Sequence, residues 1–472
     1  MDAETLPVII QGGMGIGVSS WPLAKAVAMT GQLGVVSGTA LDNLLIRRLQ
    51  DGDLGAHIRR AMVAFPSPEV ASETLRRFFK PEGRTEDEPY LLAPMYRQAV
   101  DSFRNQLTVL ANFVEVWLAK EGHDGKVGIN FLSKVQMPTL PSLYGAMLAG
   151  VDYVLMGAGI PREIPGALDR MADHEPASIR FDVQDAKGEG EKLHFHPREA
   201  LSGQRLDLTR PRFLPIIASN SLASMLARKA NGRVDGFVVE GPTAGGHNAP
   251  PRGEKRLNER GEPVYGERDR VDLTGLRKLG LPFWVAGGTG RPGQIEAAKK
   301  EGGIGIQVGT LFAYCRESGL IEKLKATVLD LCRRGEVDVH TADRVSPTGF
   351  PFKTVQIETS LTARESYEKR ERVCDLGYLR IPYKMESGRI GYRCPAEPVS
   401  TFLKKGGTEA ETVGRQCLCN ALLANIGHPQ PRGEGVEEPP LLTSGDDLKN
   451  LKEFLKGRDS YSARDVIDYL LS

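Results

Sequence analysis

Eight short apolar runs alternate with segments of helical periodicity along the first 310 residues of the chain. Many of these runs end in glycine, serine or asparagine. Continuous apolar strands that alternate with helices are typical of a parallel sheet covered on both faces. Eight of them predict an α/β fold, a (β/α)8 TIM barrel, whose chemistry is carried by the loops after the strands. The runs are PVIIQGGMG (7–15), LGVVSGTA (33–40), VGINFLS (127–133), YVLMGAG (153–159), FLPIIASN (213–220), GFVVEGP (236–242), FWVAGGTG (283–290) and GIQVGT (305–310).

The spacing of the runs is uneven and predicts two insertions. The first, at about residues 45–125 after strand 2, contains amphipathic segments at 59–65 and 94–120 and is expected to be helical. The second, at about 163–212 after strand 4, is smaller. In it, Ile179, Phe181 and Val183 alternate with polar residues, and so do Leu193 and Phe195, which predicts a β-hairpin.

The barrel pattern stops at about Val355. We therefore expect a barrel domain at 1–354 and a C-terminal extension at 355–472, a satellite region that is a small helical and cysteine-containing subdomain. GEGVEEPP (433–440) has the composition of a linker. Ser462 and Asp465 resemble a capping box that opens a last helix, with Val466, Ile467 and Leu470 on its apolar side.

Composition favours a cytoplasmic protein whose partner is a small molecule. Lys and Arg number 61 against 60 Asp and Glu, a balance that argues against nucleic-acid or membrane partners. The N-terminus lacks a basic leader, and no apolar stretch approaches the ~20 residues of a membrane span. Six cysteines without a secretion signal are expected to be reduced thiols. A homo-oligomer is compatible with these data, but nothing in the sequence fixes the oligomeric state.

Glycine-rich turns follow four of the predicted strands. After strand 1, Gln11-Gly12-Gly13-Met14 offers bare backbone to a planar ring. After strands 7 and 8, the pairs Gly287-Gly288 and Gly309-Thr310 lead into helices, where backbone N–H groups bind phosphate. One Gly-Gly pair is usually only a tight turn, but the set at matching strand ends indicates an elongated phosphorylated cofactor, and FMN fits.

His247 lies in the sequence EGPTAGGHNAPPRG, directly after the predicted strand 6. Gly245 and Gly246 allow this loop to approach a cofactor, and the ordinary pKa of histidine suits proton exchange with a substrate carbon. A histidine in a loop is commonly solvated or structural, but this position favours catalysis. The charge-rich segment that follows, residues 252–270, is expected to be exposed and is a candidate lid.

Taken together, PVIIQGGMG, INFLS, MGAGIP, EGPTAGGHN, VAGGTG and IQVGT resemble the 2-nitropropane dioxygenase-like, or nitronate monooxygenase, family over most of residues 6–320. That family includes flavin-dependent enoyl-acyl-carrier-protein reductases. The resemblance implies an FMN-binding TIM barrel in which His247 is the catalytic acid or base. It also implies that the cofactor is contacted by Gln11, Gly12, Gly13, Met14, Asn130, Gly245, Gly246, Gly287, Gly288, Gln307, Gly309 and Thr310.

Two reactions are compatible with this resemblance. A nitronate monooxygenase is the first interpretation, because it is the commonest activity for this motif set: an alkyl nitronate is oxidised with O2. The alternative is an NAD(P)H-dependent FMN reductase of enoyl thioesters, in which His247 protonates the α-carbon. The continuation after the histidine, Asn-Ala-Pro-Pro-Arg-Gly, and the two insertions depart from many relatives, which leaves the substrate open.

A metal centre is a further alternative that the sequence raises. Cys374, Cys394, Cys417 and Cys419 all fall in the C-terminal extension. Four clustered cysteines are able to hold zinc or an iron–sulfur cluster, but Cys417 and Cys419 are separated by one residue and the other gaps are long. We therefore predict buried thiols and no metal. Cys315 and Cys332 are predicted to lie in the core.

Overall fold

Eight parallel strands form the centre of the molecule in a computed structural model that describes residues 6–186, 190–201 and 206–472. The first strand pairs with the last. A bridge between Ile10 and Leu33 closes the other edge, where Leu33 N donates to Ile9 O at 3.1 Å. The predicted TIM barrel is confirmed. Its strands are β1 (Ile9–Gln11), β2 (Gly34–Ser37), β3 (Val127–Leu132), β4 (Tyr153–Gly157), β5 (Arg212–Ile217), β6 (Phe237–Glu240), β7 (Phe283–Ala286) and β8 (Gly305–Val308).

The two faces of each barrel strand pack in different surroundings. One apolar cluster fills the barrel interior and includes Ile10, Leu155, Val238 and Trp284, all buried. Alternate residues, such as Val239, pack outward under the helices. Because side chains alternate along a strand, the residue two positions after an interior one faces the same side. This alternation decides which side chains face the barrel axis at the C-terminal ends of the strands.

Helices surround the barrel between its strands, in the alternation that the sequence predicts. Ser219 caps one of them by accepting a hydrogen bond from Leu222 N at 3.1 Å. The helix Glu322–Arg334, which lies after β8, is capped at its C-terminus by Gly335, whose backbone is in the left-handed conformation. The surrounding helices are Trp21–Ala28, Thr139–Leu148, Ile164–Ala172, Asn220–Lys229, Leu273–Arg277, Gln294–Lys300, Thr310–Ala313 and Glu322–Arg334.

The first insertion is helical, as predicted. It comprises the helices Leu41–Gln50, His57–Val63, Pro68–Phe78 and Ser102–Lys120 and a short 3-10 turn at Leu54–Ala56. The longest helix begins at Ser102, whereas the sequence pattern placed its start near residue 94. Asp101 explains the difference, because its carboxylate accepts a hydrogen bond from Arg104 N at 2.8 Å and ends the preceding extended segment.

The second insertion contains the predicted hairpin. Its strands Ala177–Phe181 and Glu191–Phe195 are antiparallel, with Ile179 opposite Leu193, and a short helix follows at Pro197–Ala200. Their inward residues Phe181 and Phe195 are buried. Residues 187–189 of the connecting turn lie outside the described residues.

The C-terminal extension is built onto the barrel. The boundary expected at 354/355 falls inside the strand Phe352–Val355, which pairs with the strands Val339–Ala342 and Gly246–His247. The segment predicted as a linker instead contains a short hairpin, Pro431–Gly433 with Val436–Glu437, since Glu438 is buried in ion pairs with Arg370 and Arg432. The other elements of the C-terminal extension are the strands Ile381–Lys384 and Ile390–Arg393, the helices Arg364–Lys369, Val399–Lys404, Glu409–Thr412, Leu418–Ala424, Leu451–Leu455 and Ala463–Leu471, and a 3-10 turn at Asp446–Asn450.

The last helix has the predicted capping box. Ser462 Oγ accepts from Asp465 N at 3.1 Å, and Asp465 Oδ2 accepts from Ser462 N at 2.7 Å. Val466, Ile467 and Leu470 are buried in the same apolar cluster as the barrel residues Ile9 and Ile306. Within the described ranges, no helix has both the length and the apolar character to cross a membrane.

Candidate active site

A cavity of about 1420 Å³, counted to its open mouth, lies at the C-terminal ends of the barrel strands. Residues that end or follow all eight strands line it. Every predicted site residue except Gln11 belongs to the lining: Gly12, Gly13, Met14, Asn130, Gly245, Gly246, His247, Gly287, Gly288, Gln307, Gly309 and Thr310. The structure thus brings together residues that are almost 300 positions apart in the chain.

Gln11 lies beneath the cavity and is fully buried. Its Nε2 donates to Ser19 Oγ at 2.9 Å, and its Oε1 accepts from Val35 N at 2.9 Å. These bonds fix the turn after β1 against β2. The geometry therefore gives Gln11 a positioning role beside the cavity.

Close packing explains the glycine after β1. A Cβ placed on Gly13 would fall 2.4 Å from the Cβ of Asn130 and 3.3 Å from a methyl carbon of Val35. Any larger residue would displace Asn130. The bare backbone of Gly13 therefore gives the cavity a flat floor, the shape expected for a planar ring.

In the lining, Ser444 Oγ and two buried amide oxygens have no hydrogen-bond partner within the described part of the chain. The amide oxygens are Asn130 Oδ1 near the end of β3 and Gln307 Oε1 in β8. A buried polar atom without a partner costs about 1–3 kcal/mol, so a ligand that offers N–H or O–H groups would relieve the cost at both atoms. These residues fit the polar edge of a flavin ring.

The turns after β7 and β8 form the other end of the cavity. Gly287 and Gly288 have φ angles of +87° and +72°, a conformation that other residues rarely adopt. Together with Gly309 and Thr310 they present backbone beside the start of the helix Thr310–Ala313. This backbone is suited to a phosphate group.

The segment 442–447 of the C-terminal extension also lines the cavity, although no local sequence pattern predicts this. Gly445 N donates to Thr310 Oγ1 at 2.9 Å, although the two residues are 135 positions apart. Thr443 Oγ1 accepts from Gly246 N at 2.8 Å, and Asp447 Oδ2 accepts from Gly290 N at 3.0 Å. The extension is thus part of the wall at the phosphate end.

His247 is held in the short strand Gly246–His247 by pairing with Phe352 and Lys353. Its Nε2 lies 2.6 Å from Ser346 Oγ, which in turn lies 2.8 Å from Thr348 Oγ1. The ring packs edge-on against Phe352, with centroids 4.8 Å apart. Burial, assisted by the positive charge of Lys134, lowers the pKa of His247 to about 4. The imidazole is therefore neutral near pH 7 and able to accept a proton.

A second cavity, of about 970 Å³ counted to its mouth, adjoins the first. Ala158, Ile216, Glu240 and His247 line both cavities and mark their junction. The second cavity has apolar walls from Ile160, Ile217, Leu222, Pro242, Pro250 and Phe350. Arg252, Tyr265 and Asp269 of the charge-rich segment also belong to its lining, so this segment forms a wall of the site.

Glu240, the last residue of β6, is a site residue that sequence reasoning passed over. It follows the interior residue Val238 by two positions and therefore faces the barrel axis. It borders both cavities but is otherwise surrounded by protein, and this burial raises the pKa of its carboxyl to about 8. The available signal was the strand alternation in GFVVEGP, which puts an acidic side chain on the inner face.

The four cysteines of the extension line a separate, very small pocket. The hydrogen bond with the Cys419 thiol, opposed by burial and assisted by Arg370, lowers the pKa of Cys417 to about 7. In the three described ranges, no group of three His, Cys, Asp or Glu side chains is arranged to hold a metal ion. Cys315 and Cys332 are buried in the core, as predicted.

Comparison with known proteins supports the resemblance drawn from the motifs. The model of the nitronate monooxygenase family matches residues 197–346, which include β6 to β8 and His247. This match confirms the resemblance and the expected class of enzyme, an oxidoreductase. No curated protein matches the chain.

Similar solved structures include three enzymes. FabK from Thermotoga maritima is 16% identical, with 99% of this chain and 92% of that chain covered and a TM-score of 0.46. Nitroalkane oxidase from Streptomyces ansochromogenes is 15% identical, with 98% and 94% covered and a TM-score of 0.45. The enoyl reductase domain of MlnA from Bacillus amyloliquefaciens is 12% identical, with 98% and 92% covered and a TM-score of 0.45.

Proposed function

From the match to the nitronate monooxygenase family we propose that this oxidoreductase is an FMN-dependent nitronate monooxygenase, which oxidises alkyl nitronates with O2. The observation that carries the proposal is the position of His247. Its neutral imidazole lies where the glycine-lined cavity meets a second, apolar cavity. A cofactor and a carbon substrate placed in the two cavities would meet at this residue.

The glycine-lined cavity fits FMN in shape and in polar groups. Gly12, Gly13 and Met14 would lie against the ring, and the unpartnered oxygens of Asn130 and Gln307 would accept hydrogen bonds from it. The phosphate would be held by the turns Gly287-Gly288 and Gly309-Thr310. When bound, FMN supplies the redox chemistry, in which electrons pass from the substrate to O2.

His247 would act on the proton at the reacting carbon. A base must be unprotonated at the working pH, and a pKa of about 4 satisfies this condition. Since Ser346 Oγ engages Nε2 at 2.6 Å, the ring orientation is fixed. When the substrate is supplied as a neutral nitroalkane, His247 removes its α-proton. When it is supplied as the nitronate, this step is unnecessary.

The second cavity would hold the carbon chain of the substrate. Its walls are apolar near the junction, and its charged groups include Arg252 and Asp269 of the charge-rich segment. Arg252 also donates to the carbonyl oxygens of Ala218 and Arg268, at 2.5 and 2.7 Å. This arrangement suits a short alkyl chain whose polar nitronate group points to His247.

Reduction of enoyl thioesters by NAD(P)H is the competing reaction. It requires His247 to deliver a proton to the α-carbon, and a histidine with a pKa of about 4 carries little protonated form near pH 7. The position of His247 at the junction serves either reaction, and we prefer the nitronate reaction on the family match.

The test uses the purified holoenzyme with FMN. Oxygen uptake and nitrite release are measured with ethyl nitronate, and flavin bleaching is measured anaerobically with NADH and with NADPH. Oxygen uptake with nitrite, without bleaching by either nucleotide, is the result we expect. Prompt bleaching by a nucleotide, together with reduction of an enoyl thioester and no nitrite, would replace the proposal with the reductase reaction.

A further inference from the structure

A carboxylic acid stands at the junction of the two cavities, and neither the motif resemblance nor the family match assigns it a role. Glu240 is the last residue of β6, and it is paired with Ala286 on the adjacent strand β7. It lines both cavities together with Ala158, Ile216 and His247. Within the described residues, its carboxyl makes no hydrogen bond or ion pair.

We propose that Glu240, which lines both cavities, is a substrate-binding residue whose carboxyl donates a hydrogen bond to an anionic oxygen of the substrate at the cavity junction. The inference rests on the proposed function, because it takes the substrate to be an alkyl nitronate. It adds a specificity element: the site binds the anion through a neutral acid. No proton or electron changes hands in this contact.

The surroundings explain why the acid is neutral. Ile216 and Ala286 supply no charge or hydrogen bond to a carboxylate, and burial raises the pKa of Glu240 to about 8. An ionised carboxylate at this place would be costly on its own and would repel a nitronate. A protonated carboxyl instead gains a partner when the anion binds, and charge-assisted hydrogen bonds of this kind are the stronger class.

Other titrating groups face the same space and must be separated from Glu240. His247 titrates near pH 4, and Tyr265 of the charge-rich segment near pH 12. Arg252 and Asp269 also line the second cavity, and Lys134 acts on His247 from outside the lining. Asp447 lines the first cavity, and burial raises its pKa as well. It does not line the second cavity and is therefore not part of the junction.

The sign of the pH dependence follows from the folded-state pKa. Below about pH 8 Glu240 is protonated and binds the anion. Above it the carboxylate forms and repels the anion. The KM for ethyl nitronate should therefore rise about tenfold per pH unit above pH 8, as a single ionisation requires.

The decisive variant is Glu240→Gln, whose amide donates a hydrogen bond at every pH. We expect its KM for ethyl nitronate to stay constant between pH 7 and pH 10. Over the same range, the KM of the wild type should rise above about pH 8, and we call this rise the alkaline limb. Glu365→Gln is the matched control, because it makes the same substitution at an exposed glutamate outside both cavities and should keep the alkaline limb of the wild type. If Glu240→Gln keeps the alkaline limb, or if Glu365→Gln loses it, the proposal is wrong.

A second measurement does not need turnover. Infrared difference spectra of the holoenzyme between pH 7 and pH 10 should show the C=O band of a protonated carboxyl. This band should disappear as the pH rises, with a midpoint at about pH 8. The band should be missing from Glu240→Gln. A wild-type spectrum without it would overturn the inference. An enzyme that shows the band and binds ethyl nitronate anaerobically with this pH dependence, yet releases no nitrite, would refute the proposed function and leave the role of Glu240 standing.

Discussion

At the scale of single residues, the site depends on side chains whose surroundings change their chemistry. His247 and Glu240 both border the cavity junction. Burial lowers the pKa of His247 and raises the pKa of Glu240, and both shifts favour the neutral form of the side chain. A base that is neutral near pH 7 therefore lies close to an acid that is also neutral. Their pKa values, about 4 and about 8, enclose the pH range in which the site has this pair of states.

Removal of His247 tests its catalytic role. We expect His247→Ala to lower kcat/KM for a neutral nitroalkane by roughly 100- to 10,000-fold, the usual contribution of a general base. Oxidation of the preformed nitronate should fall much less, because no proton has to be removed. Flavin content, measured by absorbance, should remain near that of the wild type. Equal losses for both substrates would contradict the assignment of His247 as the base.

The pH profile of the nitroalkane reaction provides a second test of His247. Its folded-state pKa is lowered, so the base is lost only as pH falls through about 4. We expect kcat/KM to be level from about pH 5 to pH 7 and to decrease below this range. An acid limb at the ordinary value for histidine, about 6.5, would mean that the imidazole is solvated in the working enzyme.

At the scale of elements, the turns after the strands set the shape of the cavity. We expect Gly13→Ala to weaken FMN binding, because its Cβ would meet the Cβ of Asn130 at 2.4 Å. Gly266→Ala is the control, since a Cβ at Gly266 meets nothing within 4 Å and its φ is −124°. The dissociation constant of FMN, measured by fluorescence quenching, should rise for Gly13→Ala alone.

The segment 442–447 acts as an element of the same site. A Cβ on Gly445 would lie 2.9 Å from Thr243 O and 2.9 Å from Thr310 Oγ1, so Gly445→Ala should push the segment away from β8. We expect faster loss of FMN on dialysis and a lower Tm in the presence of FMN than for Gly266→Ala. If flavin retention is unchanged, the extension does not support the phosphate end.

At the scale of the whole molecule, barrel and extension share one core. Leu470 is 1% exposed in the cluster that contains Ile9 and Ile306, whereas the neighbouring Leu471 is 54% exposed. Leu470→Ala should destabilise the protein by about 2–5 kcal/mol, the usual cost of truncating a buried leucine. Leu471→Ala should cost about 0.5 kcal/mol or less.

Calorimetry of the two leucine variants distinguishes a joint core from an independent subdomain. In a joint core, Leu470→Ala lowers the Tm of a single transition that includes the barrel. Two separated transitions, of which only the smaller one shifts, would show that the extension unfolds on its own.

The sequence by itself determined the barrel, the two insertions and the strand-end turns that line part of the cavity. These features are local: apolar runs specify buried strands, and glycine-rich turns follow four of the strands. Two predictions were wrong because contacts that are not evident in the local pattern decide the structure. The longest helix begins at Ser102, where Asp101 caps it, and the expected linker contains a hairpin next to Glu438, which is buried in ion pairs.

Only the tertiary structure decided which distant groups meet. Ser346 contacts His247 across 99 positions, and Gly445 contacts Thr310 across 135. No local pattern encodes such contacts, because they depend on how the extension folds back over the barrel. The state of Glu240 is decided in the same way, since its raised pKa comes from burial. The sequence places a glutamate at position 240, and the packing of the folded barrel around it favours the neutral acid.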